Sequence, residues 1–358
     1  MRYAYKNKKM LVEPCEWDKN SGKSVLQYAV GSLLYMPATN TKIADKLINR
    51  TGDLNDKYSY IKSMVLCLED SIGDDMVGKA EHCLIQTLKT LKEAVVGGRV
   101  DAKELPLIFV RVRTPEHFEA FAKKVKPYLD MLTGFVFPKF DAYNCDAYIE
   151  LFTEVKEDCS TDLYFMPIIE NKNTMYRQYR MENLLKINDR LRLVNEYVLN
   201  IRVGCADFCN IFGIRRNINQ SFHDIAVIND CLSDIINVFA RNYIVSSGVW
   251  EYFGNEETDT NGYELPWLTG LKMELTKDKL NGFHGKTCIH PMQLRHVQEN
   301  MIVSEENYRD ALAIVGTSDG LIGVQKGYGG NKMNETKTHS KWAKKIIGLA
   351  EVYGVLAD

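Results

Sequence analysis

A chain of 358 residues is long enough to bury a large core, as one big barrel or as two ordinary domains, and composition does not choose between them. Its 45 lysines and arginines against 47 acids leave a net charge of −2, which excludes recognition of nucleic acid or anionic membrane through bulk charge. Met1 to Met10 lack the apolar core of a signal peptide, and no later stretch approaches the ~20 apolar residues of a membrane span, so a cytoplasmic location is expected.

Nine cysteines scattered without a Cys-x-x-Cys pair read as reduced thiols, not as a disulfide framework or a structural zinc site. Residues 1 to 30 are polar and irregular, with Pro14, Trp17 and a Ser21-Gly22-Lys23-Ser24 turn, and are expected to pack as an N-terminal extension on the outside of the later elements. From Ser32 onward, short β-rich runs alternate with longer helical patterns. The runs are Ser32–Tyr35, Met64–Leu68, Leu107–Val112, Gly134–Phe137, Tyr164–Ile169, Val198–Val203, Ile244–Ser246 and Lys286–Ile289. Between them, Met76–Val95, Pro115–Leu132, Asp146–Glu157, Thr174–Ile187 and Asp224–Tyr243 carry apolar residues at helical spacing. Eight alternations without a linker-like break predict an α/β fold, a (β/α)8 TIM barrel over residues 31–303, in preference to a doubly wound sheet. A helix from Glu305 to Val315, a Gly-rich passage from Gly316 to Gly330 and a final helix from Thr338 to Tyr353 predict a C-terminal helical extension over 304–358. Its glycines are flexible enough to let it dock on a neighbouring subunit.

In such a barrel, functional groups gather at the carboxyl ends of the strands. The run Leu163 to Ile169 stops at Glu170-Asn171, and Tyr197 to Val203 leads through Gly204-Cys205-Ala206 to Asp207. Two carboxylates on neighbouring strand ends suit a hard divalent cation. Equally, each suits the first turn of the following helix, where a carboxylate is favoured anyway, and from these residues alone that plainer reading is preferred. Other runs end in polar residues too: Glu69-Asp70-Ser71, Arg111-Val112-Arg113, Pro138-Lys139 and His290-Pro291-Met292-Gln293.

Taken in order, Leu33-Leu34-Tyr35-Met36-Pro37-Ala38, Leu68-Glu69-Asp70-Ser71, Arg111-Val112-Arg113, Phe137-Pro138-Lys139, Ile169-Glu170-Asn171, Gly204-Cys205-Ala206-Asp207 and Gly282-Phe283-His284-Gly285-Lys286-Thr287-Cys288-Ile289-His290-Pro291-Met292-Gln293 resemble the citrate lyase β-subunit and HpcH/HpaI aldolase superfamily. The last block is the most diagnostic. The resemblance implies a TIM barrel and Mg²⁺-dependent cleavage or formation of a carbon–carbon bond through an enolate, on a 2-oxo or hydroxy acid or an acyl-CoA-like substrate. It assigns Glu170 and Asp207 to the metal and so overturns the plainer reading of them. Arg111 matches a family arginine that contacts a substrate oxygen; Glu69 and Asp70 match carboxylates close to the metal that hold its waters or neighbours. Lys139 is expected to contact substrate or to screen the acids, and His290 to act first as an orienting hydrogen-bonder.

The chain also departs from the pattern. Family members read Asp-Leu-Glu-Asp where it has Cys67-Leu68-Glu69-Asp70, Arg-Val-Asn where it has Arg111-Val112-Arg113, and arginine where it has Gly31. The glycine weakens a standard CoA or acyl-carrier site, and the added guanidinium suggests an anionic substrate that Arg113 helps to bind. In the tail, Gly330-Asn331-Lys332-Met333-Asn334-Glu335 resembles a family Gly-Lys-Met-x-Asp whose aspartate serves a neighbouring subunit as acid or base. Glu335 takes that role by resemblance, in a homo-oligomer such as a trimer or hexamer; its plainer reading is a carboxylate at a helix start. The alternatives are a barrel of this kind that has lost catalysis and binds a metabolite or protein, or a thioester hydrolase using the same site.

Overall fold

The structure is a computed structural model that describes residues 1–317 and 323–357. A short strand β1 (Met10–Val12) precedes eight strands that close a parallel barrel in chain order: β2 (Ser32–Pro37), β3 (Ser63–Cys67), β4 (Leu107–Arg111), β5 (Gly134–Phe137), β6 (Tyr164–Ile169), β7 (Ile201–Val203), β8 (Val245–Val249) and β9 (Lys286–Cys288). Almost every residue of these strands is buried, as befits strands covered on both faces. Helices follow each strand, so the expected (β/α)8 barrel is the fold. Beyond it lie β10 (Val303–Ser304), the antiparallel pair β11 (Val324–Lys326) and β12 (Met333–Glu335), and β13 (Val355–Leu356), which sits between β1 and β10 in a small sheet.

Expected and observed elements differ where local chemistry competes with periodicity. The helical pattern from Thr174 to Ile187 is two helices, Lys172–Met175 and Arg177–Leu193, because Tyr176 between them is extended. The run from Val198 pairs only from Ile201, and β8 continues through Ser247-Gly248 to Val249, polar and small residues that look like a turn in sequence. The segment expected to be irregular holds a helix, Lys23–Ala29, and buries Tyr3, Trp17 and Leu26. Of the Gly-rich passage, residues 318–322 lie outside the described residues.

The helix Pro266–Leu280, absent from the predicted elements, carries charge within its buried face. Glu274 and Asp278 are buried there against Lys286, the first residue of β9, whose Nζ donates to Asp278 Oδ2 at 2.8 Å, Glu274 Oε1 at 3.0 Å and Ser247 Oγ at 3.2 Å. Arg216 donates to Glu274 and Glu251 and stacks on Phe222 at 3.5 Å. This closed network fastens the helix to the barrel together with the buried Trp267, Leu268, Leu271 and Leu275. On the other side, Phe137 stacks on Tyr148 at 4.4 Å and Phe152 packs against Phe165 at 4.9 Å, which holds β5 and β6 rigidly beneath the residues that follow them. All nine cysteines are free. Among the described residues, no helix is long and apolar enough to cross a membrane.

Candidate active site

A cavity of about 460 Å³ opens at the carboxyl ends of the barrel strands, lined among others by Tyr35, Cys67, Asp70, Arg111, Glu170, Arg202 and Asp207. Glu170 follows the last residue of β6 and is only 5% exposed. The pairing of Ile169 with Val203 in β7 brings it beside Gly204, where a Cβ would stand 2.2 Å from Glu170 Oε2. Glycine at 204 therefore makes room for the carboxylate. The Lys139 backbone N–H donates to Glu170 Oε1 at 2.9 Å, which requires the left-handed conformation (φ 48°) that Lys139 adopts just past β5. Asn144 holds that turn by donating from Nδ2 to the Lys139 carbonyl at 2.9 Å.

Asp207 stands in the first turn of the helix Cys205–Ile211, and its carboxyl hydrogen-bonds that of Glu170. Burial raises the Glu170 pKa to about 8, with the charge of Asp207 adding to the rise and Arg111 opposing it. Burial likewise raises Asp207, helped by Asp70. A buried and a half-buried carboxyl so close retain a proton or hold a cation. Among the described residues, no group of three His, Cys, Asp or Glu side chains converges as a metal cage. Two carboxylate oxygens at a cavity wall are ligand types that suit a hard divalent cation.

Beside the pair lies a compact cluster. Arg111 Nη2 donates to Glu69 Oε2 at 2.9 Å and Asp70 Oδ2 at 3.1 Å, and its Nε donates to Cys67 Sγ at 3.1 Å. Lys139 Nζ pairs with Glu69 and lies 3.4 Å from Asp70. Burial alone would lower the pKa of Arg111, but Cys67, Glu69, Tyr35 and Glu170 outweigh it and hold the guanidinium charged. Lys139 is likewise held above its usual range: burial would lower it, but the hydrogen bond to Glu69 and the charges of Glu69, Glu170 and Asp70 together outweigh that. Glu69 itself rises through burial, against the pull of Arg111.

The sequence-predicted residues thus divide. Glu69, Asp70, Arg111, Lys139, Glu170 and Asp207 come together. Arg113 stands apart from them: two residues past Arg111, it reaches back to Asp74 and donates to the carbonyl of Leu68 at 3.2 Å. Asp74 and the loop carbonyls capture its guanidinium. His290 caps the helix Pro291–Met301, accepting from Met292 N–H at 3.4 Å, and stacks on Phe253 at 4.7 Å; its hydrogen bonds stay within its own turn. Glu335, in β12, accepts from Thr338 Oγ1 at 2.7 Å and does not line the cavity of its own chain. Gly31 precedes β2 at the strand's amino end, opposite the cavity, with φ 35° and a Cβ position 2.0 Å from the Tyr353 hydroxyl. No larger residue fits there, so its divergence reflects packing and does not bear on the cavity mouth.

Sequence reasoning missed Arg202 and Tyr35. A charged residue inside the apolar run Val198–Val203 was the available signal, since interior positions of parallel strands rarely carry charge.

A family model described as C-C bond lyase of the TIM-barrel fold matches residues 24–355. Among solved structures, the chain is similar to the protein CitE from Mycobacterium tuberculosis in complex with magnesium, acetoacetate and coenzyme A, at 16% identity over 90% of this chain and 99% of that one, with a TM-score of 0.55. It is also similar to a citrate lyase from Burkholderia xenovorans LB400, at 11% identity over 92% of this chain and 93% of that one, with a TM-score of 0.65. At these identities the likeness is one of fold. Comparison with curated proteins gives no match.

Proposed function

Since the chain belongs to the C–C bond lyase family of the TIM-barrel fold, we propose that it cleaves or forms a carbon–carbon bond beside a carbonyl, in a 2-oxo or hydroxy acid or an acyl-CoA-like substrate, with Mg²⁺ as cofactor. The observation that carries this reading is the pairing of the buried Glu170 with the half-buried Asp207, two carboxyls with raised pKa values side by side at the wall of a cavity. Glu170 and Asp207 would hold the ion, which supplies a Lewis acid for the substrate's carbonyl oxygen.

The remaining chemistry belongs to the chain's own residues. Heterolysis of the bond sends its electron pair into the adjacent carbonyl as an enolate, so negative charge grows on that oxygen. Arg111 reaches the cavity wall as a fixed, charged fork and steadies that charge. Glu69, Asp70 and Cys67 keep the fork aimed, with cysteine accepting from Nε where the family pattern has an aspartate. Lys139 limits the repulsion among the acids.

Arg111→Lys is expected to lower kcat by about 10²-fold, because an ammonium cannot reproduce the planar fork. Unchanged turnover on the substrate identified from a panel of 2-oxo acids and CoA thioesters refutes the role.

Glu335 of a neighbouring chain would move the proton to or from the carbon of the broken bond, a task that its own chain's geometry leaves open to a partner. Mixing inactive Glu335→Gln with inactive Glu170→Ala subunits should restore partial activity, since some interfaces pair an intact Glu335 with an intact cavity. A mixture that stays inactive after verified subunit exchange, or a monomer in solution, removes Glu335 from the reaction.

A further inference from the structure

Among the described residues, buried cations come with counter-ions, with Arg202 the exception. Lys286 meets Glu274 and Asp278, Arg216 meets Glu274 and Glu251, and Arg180 meets Asp230 and Asp234. Arg202, 1% exposed and facing the barrel interior from β7, has no carboxylate partner among the described residues. Its Nη2 donates to Thr287 Oγ1 at 2.7 Å, while Nε and Nη1 find no acceptor. The hydroxyl of Tyr35 is unpartnered too, and its ring lies 5.8 Å from the Arg202 guanidinium and 5.6 Å from that of Arg111. Both Arg202 and Tyr35 line the cavity that holds the Glu170–Asp207 pair. A buried charge with unsatisfied donors is costly, and an anion drawn into the cavity relieves that cost.

Resting on the reading of this cavity as the site of a 2-oxo-acid lyase, we infer that Arg202 is a specificity-determining residue that selects substrates carrying a second carboxylate. Register fixes where that group sits. Arg202 pairs with Ile168, two residues before Glu170 on the same strand face, so its anchor lies roughly 6–7 Å deeper along the barrel. The reacting carbonyl stays by Glu170, Asp207 and Arg111, and the second carboxylate points inward to Arg202, Tyr35 and Thr287. A monocarboxylate satisfies the upper group alone and leaves the guanidinium bare.

The test is calorimetric titration in excess Mg²⁺ with pyruvate, oxaloacetate and 2-oxoglutarate, the two diacids offering different reaches. Wild-type protein should bind at least one diacid about tenfold or more tighter than pyruvate. Arg202→Met should abolish that preference with pyruvate affinity unchanged, and Arg202→Lys, which keeps a point charge but loses the fork, should retain part of it. Equal affinities of the wild type for all three acids, or a loss in Arg202→Met that falls alike on pyruvate and diacids, overturns the inference and leaves the lyase reading standing. If none of the three binds the wild type, the reading of a 2-oxo-acid site fails and the inference fails with it. Should Arg202→Met not fold, the comparison of wild type with Arg202→Lys decides, with an identical diacid preference in the two counting against a fork-specific contact.

Discussion

Glu170→Ala is expected to lower turnover by about 10³-fold or more and to erase the rise in melting temperature that Mg²⁺ gives the wild type. Half of the proposed ligand set disappears with the side chain, and so does the acceptor for the Lys139 N–H that holds the β5 turn against β6. The same carboxyl sets a pH dependence. In the cation-free protein Glu170 keeps its proton up to about pH 8, whereas the unfolded chain releases it in the usual carboxylate range. Stability from this group is present below that range and is lost as pH rises toward 8. Mg²⁺ replaces the proton, so the wild-type gain in melting temperature should grow across that window and be absent from the variant. Differential scanning fluorimetry between pH 5 and 9, with and without Mg²⁺, reads both effects. A wild type indifferent to Mg²⁺, or a variant that responds as the wild type does, removes Glu170 from the metal.

Lys286→Met should be the most damaging single change to stability, by about 3 kcal/mol, since it strands two buried carboxylates. Burial by itself would lower the Lys286 pKa, but Asp278 and Glu274 outweigh it and keep the ammonium charged; the same contact holds Asp278 below the usual carboxylate range. The loss sits at the lower end of what breaking a buried pair costs, because Glu274 keeps Arg216 and Asp278 keeps His223 at 2.9 Å. Equilibrium unfolding in urea measures it, and Lys286→Met with Asp278→Leu should recover part of the loss by removing one stranded charge. A single variant within about 1 kcal/mol of wild type contradicts this account.

The barrel was legible because eight apolar runs and intervening helices repeat one simple pattern, and Glu170 stood out because it follows its strand directly; Asp207, already inside the helix after β7, was singled out with it as a metal ligand only through the family resemblance. Arg111 and Lys139 stood out as Glu170 did, at or just past the ends of their strands. Arg113 lies two residues beyond the end of β4, as Lys139 lies two beyond the end of β5, but Asp74 and the Leu68 carbonyl hold its guanidinium apart from the cluster, a local competition that sequence does not display. Glu335 lies in the tail, where sequence gives no neighbour to place it against. The most diagnostic block, Gly282 to Gln293, turns out to be largely architectural. Gly285 lies where a Cβ would meet the Gly31 carbonyl at 2.7 Å, Lys286 anchors a helix, and Gln293 donates to the carbonyls of Trp250 and Tyr252 at 2.9 Å. A motif identifies a family through its scaffold as readily as through its chemistry. Arg202 was hidden for the opposite reason, as a lone departure inside a strand with no motif to flag it.

The small sheet outside the barrel bears on the order in which the fold can close. β1 has no partner in the barrel; it pairs with β13, and Ala357 N–H closes onto the Lys9 carbonyl at 3.0 Å. Tyr3 stacks on Tyr353 at 4.5 Å, and Cys15 N–H donates to the Glu351 carbonyl at 2.8 Å. These contacts join segments separated by the whole barrel in sequence, so they close the longest loops in the fold, while the barrel strands between them pair neighbour by neighbour. Until they form, β1 and β13 each present a bare strand edge, the kind of edge on which a folding chain pairs with the wrong partner.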